Sequence, residues 1–310
     1  LYGNYRVHSG NWVVSVENEL FLNQRTDRNI LIDTQERRSY LANYEYDPLE
    51  LSRLNIALRN GDWEMRAGRM WSPFGRYYSQ LWTNQFLDAP FIRTEAIRFR
   101  ETGLMGRWDP GPWIVEDGIF NGHTGRDTNS SKALVARIGA EKQHWALGCS
   151  VKAHDGSGSE DQKTYSNHAG IDAMVTQGKW RLSSEVIYDQ YGLRRATFDP
   201  LEIYWEKSIY FRDLNFAYSE PITGVGYYVA VDYEGQAWLV SLSYGQFFPK
   251  TIGDPRHDRT QHRGIVKVAR SIGNHVQAYS VVMIENEGYI AQVGLPRRGT
   301  VVLAGLQFNF

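Results

Sequence analysis

Chemistry-bearing side chains crowd together in two stretches of the chain. HDGSGSED (154–161) brings His154, Ser157 and Ser159 close together. Acyl transfer needs a nucleophile, its base and an orienting third group held on a rigid support. A run this rich in Gly and Ser is loop-forming, so no nucleophilic site is expected there. DPRHDRTQHR (254–263) offers His257, Asp258 and His262 as metal donors. It lacks the i, i+4 spacing that sets two imidazoles on one helix face, and it reads as a solvated loop. Cys149 is the single cysteine, which excludes a disulfide framework and a thiolate cluster. No Gly-rich phosphate cradle follows a strand and opens a helix. Enzyme activity, a metal and a cofactor are therefore not expected.

The remaining chemistry is charge, and it is spaced in twos. Arg181, Ser183, Glu185 and Asp189 alternate with Trp180, Leu182, Val186 and Tyr188. Glu17 and Glu19 likewise interleave with Val14, Val16 and Leu20. A period of two with one apolar side is the pattern of a half-buried β-strand. Glu64, Arg66, Arg107, Glu116 and Lys152 fall on the polar sides of similar segments. The segment after Trp113 fits less well, because Asp117 falls on its apolar side. Cys149 shares a face with Trp145, Leu147 and Val151, which makes it an outward, inert thiol. The chain ends in the same rhythm, with Val302, Ala304, Leu306, Phe308 and Phe310 on one face.

The elements that must carry these charges announce themselves by tryptophan. Tight polar turns run at once into Trp12, Trp63, Trp113, Trp145, Trp180 and Trp238, six of the ten tryptophans. Their separations of 51, 50, 32, 35 and 58 residues are too irregular for propeller blades. Between the short turns lie long polar loops, near 24–38, 71–97, 122–131, 154–166, 190–223, 246–262 and 286–297. Short turn, strand, long loop, strand is the rhythm of a transmembrane β-barrel, with the tryptophans as an aromatic girdle at the short-turn interface. A soluble sandwich would bury the charged second faces without partners.

Composition agrees: aromatic content is 14%, mean hydropathy is −0.48 and net charge is −1. No apolar run reaches the length of a transmembrane helix. Near-neutral charge argues against a nucleic-acid partner. No leader is visible at LYGNYRVHSG, so a signal peptide is expected to have been removed.

The predicted strands lie near 1–8, 12–22, 40–59, 63–70, 98–108, 113–121, 132–140, 144–153, 167–176, 180–189, 224–233, 237–247, 264–272, 275–285 and 299–310. An even barrel of about sixteen strands, within fourteen to eighteen, is expected. Either a strand precedes Leu1, or 1–8 completes the last strand and 190–223 hides a hairpin. Closure pairs the last strand with the first and leaves no open edge. The whole of 1–310 is then one barrel domain. A barrel of this size encloses water, so passage is limited by whatever folds inward. The best candidate is 71–97, which carries Tyr77 and Tyr78 among many aromatics, and Arg76 and Arg93 against Asp88 and Glu95. Aromatics in such number need a wall to pack on, and the barrel interior is available. Arg66 and Arg107 complete the predicted constriction. Opposite charges across it would orient polar solutes.

MRAGRMWSPFGRYYSQ (65–80) resembles the strand-then-loop motif of the phosphate-selective porin O/P family, in which an R-x-G-R/K strand runs into a P-F-G loop. The likeness covers these sixteen residues, plus the general strand pattern and the terminal phenylalanines. It implies a trimeric channel in the bacterial outer membrane, in contact with its lipid and passing small hydrophilic solutes. It also implies that Phe308 and Phe310 act as a C-terminal assembly signal. The family's phosphate-selective members carry dense Arg and Lys ladders, and the near-balanced charges here depart from that. The competing expectation is a plugged anchoring barrel whose long loops bind a partner.

Overall fold

The structure is a computed structural model describing residues 2–22, 26–33, 38–45, 49–76, 100–121, 131–154, 164–193, 222–250, 260–273, 276–287 and 297–308. Every regular element in it is a β-strand. In chain order these are β1 (Tyr2–Ser9), β2 (Trp12–Leu22), β3 (Thr26–Asp33), β4 (Arg38–Glu45), β5 (Leu49–Asn60), β6 (Trp63–Trp71), β7 (Arg100–Trp108), β8 (Trp113–Phe120) and β9 (Ala133–Lys142). There follow β10 (Trp145–Ala153), β11 (Thr164–Gln177), β12 (Trp180–Leu193), β13 (Ile222–Glu234), β14 (Trp238–Lys250), β15 (Gln261–Ile272), β16 (Val276–Glu287) and β17 (Arg297–Phe308). Fifteen of them form one antiparallel meander, each paired with the next, while β3 and β4 pair only with each other. Turns of two residues, with Gly10, Gly61 and Gly178 at φ near +58°, join β1 to β2, β5 to β6 and β11 to β12. Glycine meets that backbone without a Cβ clash.

The two faces of the sheet differ in kind. Along β10, Trp145, Leu147, Cys149 and Val151 are exposed while Ala146, Gly148, Ser150 and Lys152 are buried. All six turn-following tryptophans lie on the exposed face, at 39–62%. Cations sit over two of them, with Lys142 Nζ 5.8 Å from the Trp145 ring and Arg270 Cζ 5.2 Å from the Trp238 ring. A ring at an interface, with a cation reaching past it to water, is how amphipathic side chains mark a membrane boundary. The opposite boundary is marked by polar groups on the same face. The Tyr227 hydroxyl donates to Gln246 Oε1 at 2.7 Å, and His262 Nδ1 lies 2.9 Å from both the Tyr244 hydroxyl and Gln246 Nε2.

Two expectations are corrected. Residues 40–59 are not one strand: Arg38–Glu45 belongs to a hairpin with Thr26–Asp33, inside what read as a polar loop, and only Leu49–Asn60 joins the sheet. Alternation reports a strand without reporting its partner, so the period runs through both segments. Closure of the last strand onto the first is also not seen: β1 and β17 end the sheet order, with no pairing between them among the described residues. The fifteen strands of the sheet lie within the expected fourteen to eighteen.

Candidate functional site

Strand pairing lines the charges up across the inner face. One row of directly opposed residues reads Arg59, Glu64, Arg107, Glu116, Arg137 across β5 to β9, alternating in sign. Opposite charges in directly facing positions stabilise the pairing, where like charges would oppose it. The side chains go further than their own row. Arg66 donates to Glu64 Oε1 at 2.8 Å and to Glu17 Oε2 at 3.2 Å, and Arg53 donates to Glu17 Oε1 at 2.9 Å. Arg107 bridges Glu116 at 2.8 Å and Asp109 at 3.3 Å, and Asp109 also receives Arg59 at 3.2 Å. Four guanidinium groups thus meet four carboxylates along β2 to β8. All of these side chains keep some contact with solvent, from 11% for Glu116 to 46% for Arg59.

The pairs that reach β10 to β12 are dry, and Glu101 joins them from β7. Lys152 Nζ meets Glu101 Oε1 at 2.7 Å, Arg137 Nη2 meets Asp172 Oδ1 at 2.7 Å, and His168 Nδ1 lies 2.7 Å from Asp189 Oδ1, with no side chain of the six above 1% exposed. Glu185, Asp232, Arg263 and Lys267 are buried on the same face of β12 to β15. Ile187, Tyr228, Phe247, Ile265, Val281 and Met283 are buried among them.

Part of what covers this wall is the chain leaving β6. Phe74 is 2% exposed and packs edge-on against His168, with centroids 5.8 Å apart. Its ring occupies the space a side chain at Gly170 would need, 3.1 Å from an added Cβ. The Gly75 amide donates to Ser150 Oγ at 2.9 Å, and the Tyr228 hydroxyl donates to the Arg76 carbonyl at 3.0 Å. Arg76 Nε meets Glu141 Oε1 at 2.7 Å. These partners stand on β9, β10, β11 and β13, three to seven places along the sheet from β6. A segment that touches such distant strands lies across the inner face.

Of the residues predicted for the constriction, Arg66 and Arg107 stand on the solvated wall and Arg76 on the crossing segment. Tyr77, Tyr78, Asp88, Arg93 and Glu95 lie outside the described residues, as do Phe310, Ser157, Ser159, His257 and Asp258. Glu17, Glu64, Glu116, Lys152, Arg181, Glu185 and Asp189 share the inner face, while Glu19 and Phe308 are described by register alone, opposite Arg53 and Val276. His262 is engaged with Tyr244 on the outer face. Arg53, Arg59, Glu101, Arg137, Asp172, His168, Asp232, Arg263 and Lys267 were not anticipated. Parity would have found them: Glu101 sits six residues before Arg107, hence on the same face.

No family model matches the chain, and no curated protein matches it. Solved structures do resemble it. The outer-membrane channel DcaP of Acinetobacter baumannii superposes with a TM-score of 0.68 at 12% identity, over 99% of this chain and 83% of that one. An anion-selective porin from Comamonas acidovorans gives 0.60 at 12% identity, over 96% and 84%. OmpF of Salmonella typhi, in complex with daunomycin, gives 0.61 at 9% identity, over 98% and 88%. The fold is therefore that of the antiparallel transmembrane barrels found as porins and channels of the bacterial outer membrane.

Proposed function

We propose that the protein is an outer-membrane diffusion channel for small hydrophilic solutes and ions, narrowed by 71–97 folded inward, and assembled as a homotrimer. One observation carries the reading: Ser72–Arg76 lies across the inner face against β9 to β13, while paired charges on β2 to β8 stay wet. Water then runs between the crossing segment and the β2–β8 wall, and solutes follow it. The trimer rests on likeness to barrels such as the Vibrio cholerae OmpT described in a trimer form. The neighbours are channels and lend no support to catalysis. The narrower likeness to phosphate-selective porins rests on Met65–Gln80, and the wall argues against phosphate preference, because Arg53, Arg59, Arg66 and Arg107 each already meet a carboxylate.

Planar-bilayer recording tests the proposal. Steady ohmic steps are expected, and they should grow when residues 76–93 are replaced by a short Gly/Ser linker. Silence in both proteins would favour the anchoring barrel, a reading to which the dry pairs on β9 to β12 lend some weight.

A further inference from the structure

Along β2 to β8 the inner charges neutralise one another. The short-turn mouth of β11 to β14 is built differently. A cavity of about 300 Å³ lies there, lined by Thr176, Lys179, Arg181, Asp232, Glu234 and Gln236. Cavities that take small molecules begin at about this size. Strand register assembles the lining. Arg181 on β12 directly opposes Thr176 on β11 and Asp232 on β13. One step nearer the rim, the Glu234 amide donates to the Lys179 carbonyl at 2.8 Å. Cations thus enter from the β12 side and carboxylates from β13, at two successive levels.

These charges are not used up within the fold. Among the described residues, neither Lys179 nor Glu234 takes part in an ion pair, and both are exposed. Asp232 is 3% exposed, and neither of its oxygens is held by a hydrogen bond of full geometry. The Ser241 hydroxyl opposite it and the charges of Arg181 and Lys267 lie near. A buried carboxylate is costly unless positive charge approaches it.

The pattern selects a solute by its charges. A simple anion gains Lys179 and Arg181 but meets Asp232 and Glu234. A simple cation meets the reverse. A solute carrying a carboxylate and an ammonium a short distance apart satisfies both sides at once. Neighbouring strands stand about 4.8 Å apart, the scale on which an α-amino acid holds its two charges. Thr176 and Gln236 add neutral donors and acceptors for the remaining polar groups.

We infer that this cavity is a docking site for zwitterions of the amino-acid type. Lys179 with Arg181 holds the carboxylate, and Glu234 holds the ammonium in the field of the buried Asp232. Its part in passage rests on the channel reading, whereas binding does not require conduction. Isothermal titration of the reconstituted protein with L-glutamine tests the site, and saturable binding is expected. N-acetyl-L-glutamine lacks the ammonium and L-glutaminamide lacks the carboxylate. Each should bind about tenfold more weakly, through loss of one charge-assisted hydrogen bond. Lys179→Gln should weaken L-glutamine as much while L-glutaminamide binds no worse. Glu234→Gln should weaken L-glutamine while N-acetyl-L-glutamine binds no worse. Equal affinity for the three compounds would overturn the site, as would a loss of all three alike in either variant. A conducting chain that takes up no L-glutamine overturns the site alone. A silent chain that binds it overturns passage and leaves the site standing.

Discussion

Arg66 holds two carboxylates, Glu64 at 2.8 Å and Glu17 at 3.2 Å, on a wall that water reaches. Glu17 keeps Arg53 when Arg66 is removed, but Glu64 loses the guanidinium bonded to it and keeps only Arg59 and Arg107 opposite it on the neighbouring strands. Arg66→Gln should therefore shift the reversal potential in a salt gradient toward cation preference, with folding unaffected because exposed pairs contribute little to stability. Lys152 makes the opposite case. It is wholly buried against Glu101, and Lys152→Met strands that carboxylate in a dry site at a cost of about 3–5 kcal/mol. The unfolding midpoint in urea should drop while reversal potential stays put. If Arg66→Gln left the potential unmoved, the wet wall would not border the ion path.

Among the elements, β6 has the most to do, because it must turn from wall into crossing segment. Gly68 sits there at φ +122°, with Leu54 carbonyl oxygen and Asn55 Cα pressed against the place a Cβ would take. A side chain meets both a backbone penalty of about 1–3 kcal/mol and a collision with β5. Gly68→Val should thus prise β6 from β5 and misplace Phe74. The expected result is a larger, noisier conductance and a lower refolding yield; an unchanged channel would show that the crossing segment is held without this glycine. The R-x-G-R part of the motif was legible in the sequence, and so were the strands around it, since a period of two is imposed by the backbone itself. The hairpin of Arg38–Glu45 with Thr26–Asp33 was not, because alternation runs on into Leu49–Asn60 and does not say which neighbour a segment pairs with. Phe74 was legible as an aromatic needing a wall. Its seat against His168 and Gly170 was not, since nothing local names β11 as that wall.

At the scale of the whole molecule the protein is organised by depth and by side. Around the wall, the charge pairs pass from wet where both partners stand on β2 to β8 to dry where a partner stands on β10 to β12, although the parity rule that placed them is the same throughout. That asymmetry could not be read from a chain of net charge −1, because it is produced by what folds across the interior. Depth, by contrast, was written in the tryptophans. Trp12, Trp63, Trp113, Trp145, Trp180 and Trp238 each follow a short turn, so strand pairing brings them to one level, where Trp63 stacks on Trp108 at 5.5 Å. Indole at an interface keeps its ring in the apolar edge and its N–H in water. Reconstituted into bilayers of brominated lipid, the protein should lose most fluorescence when bromine sits near the glycerol end of the chains. Strongest quenching by bromine at the chain ends would put these rings at mid-membrane. The girdle would then be lost as a depth marker, and with it the reason for reading the charged face as the lining of an aqueous path.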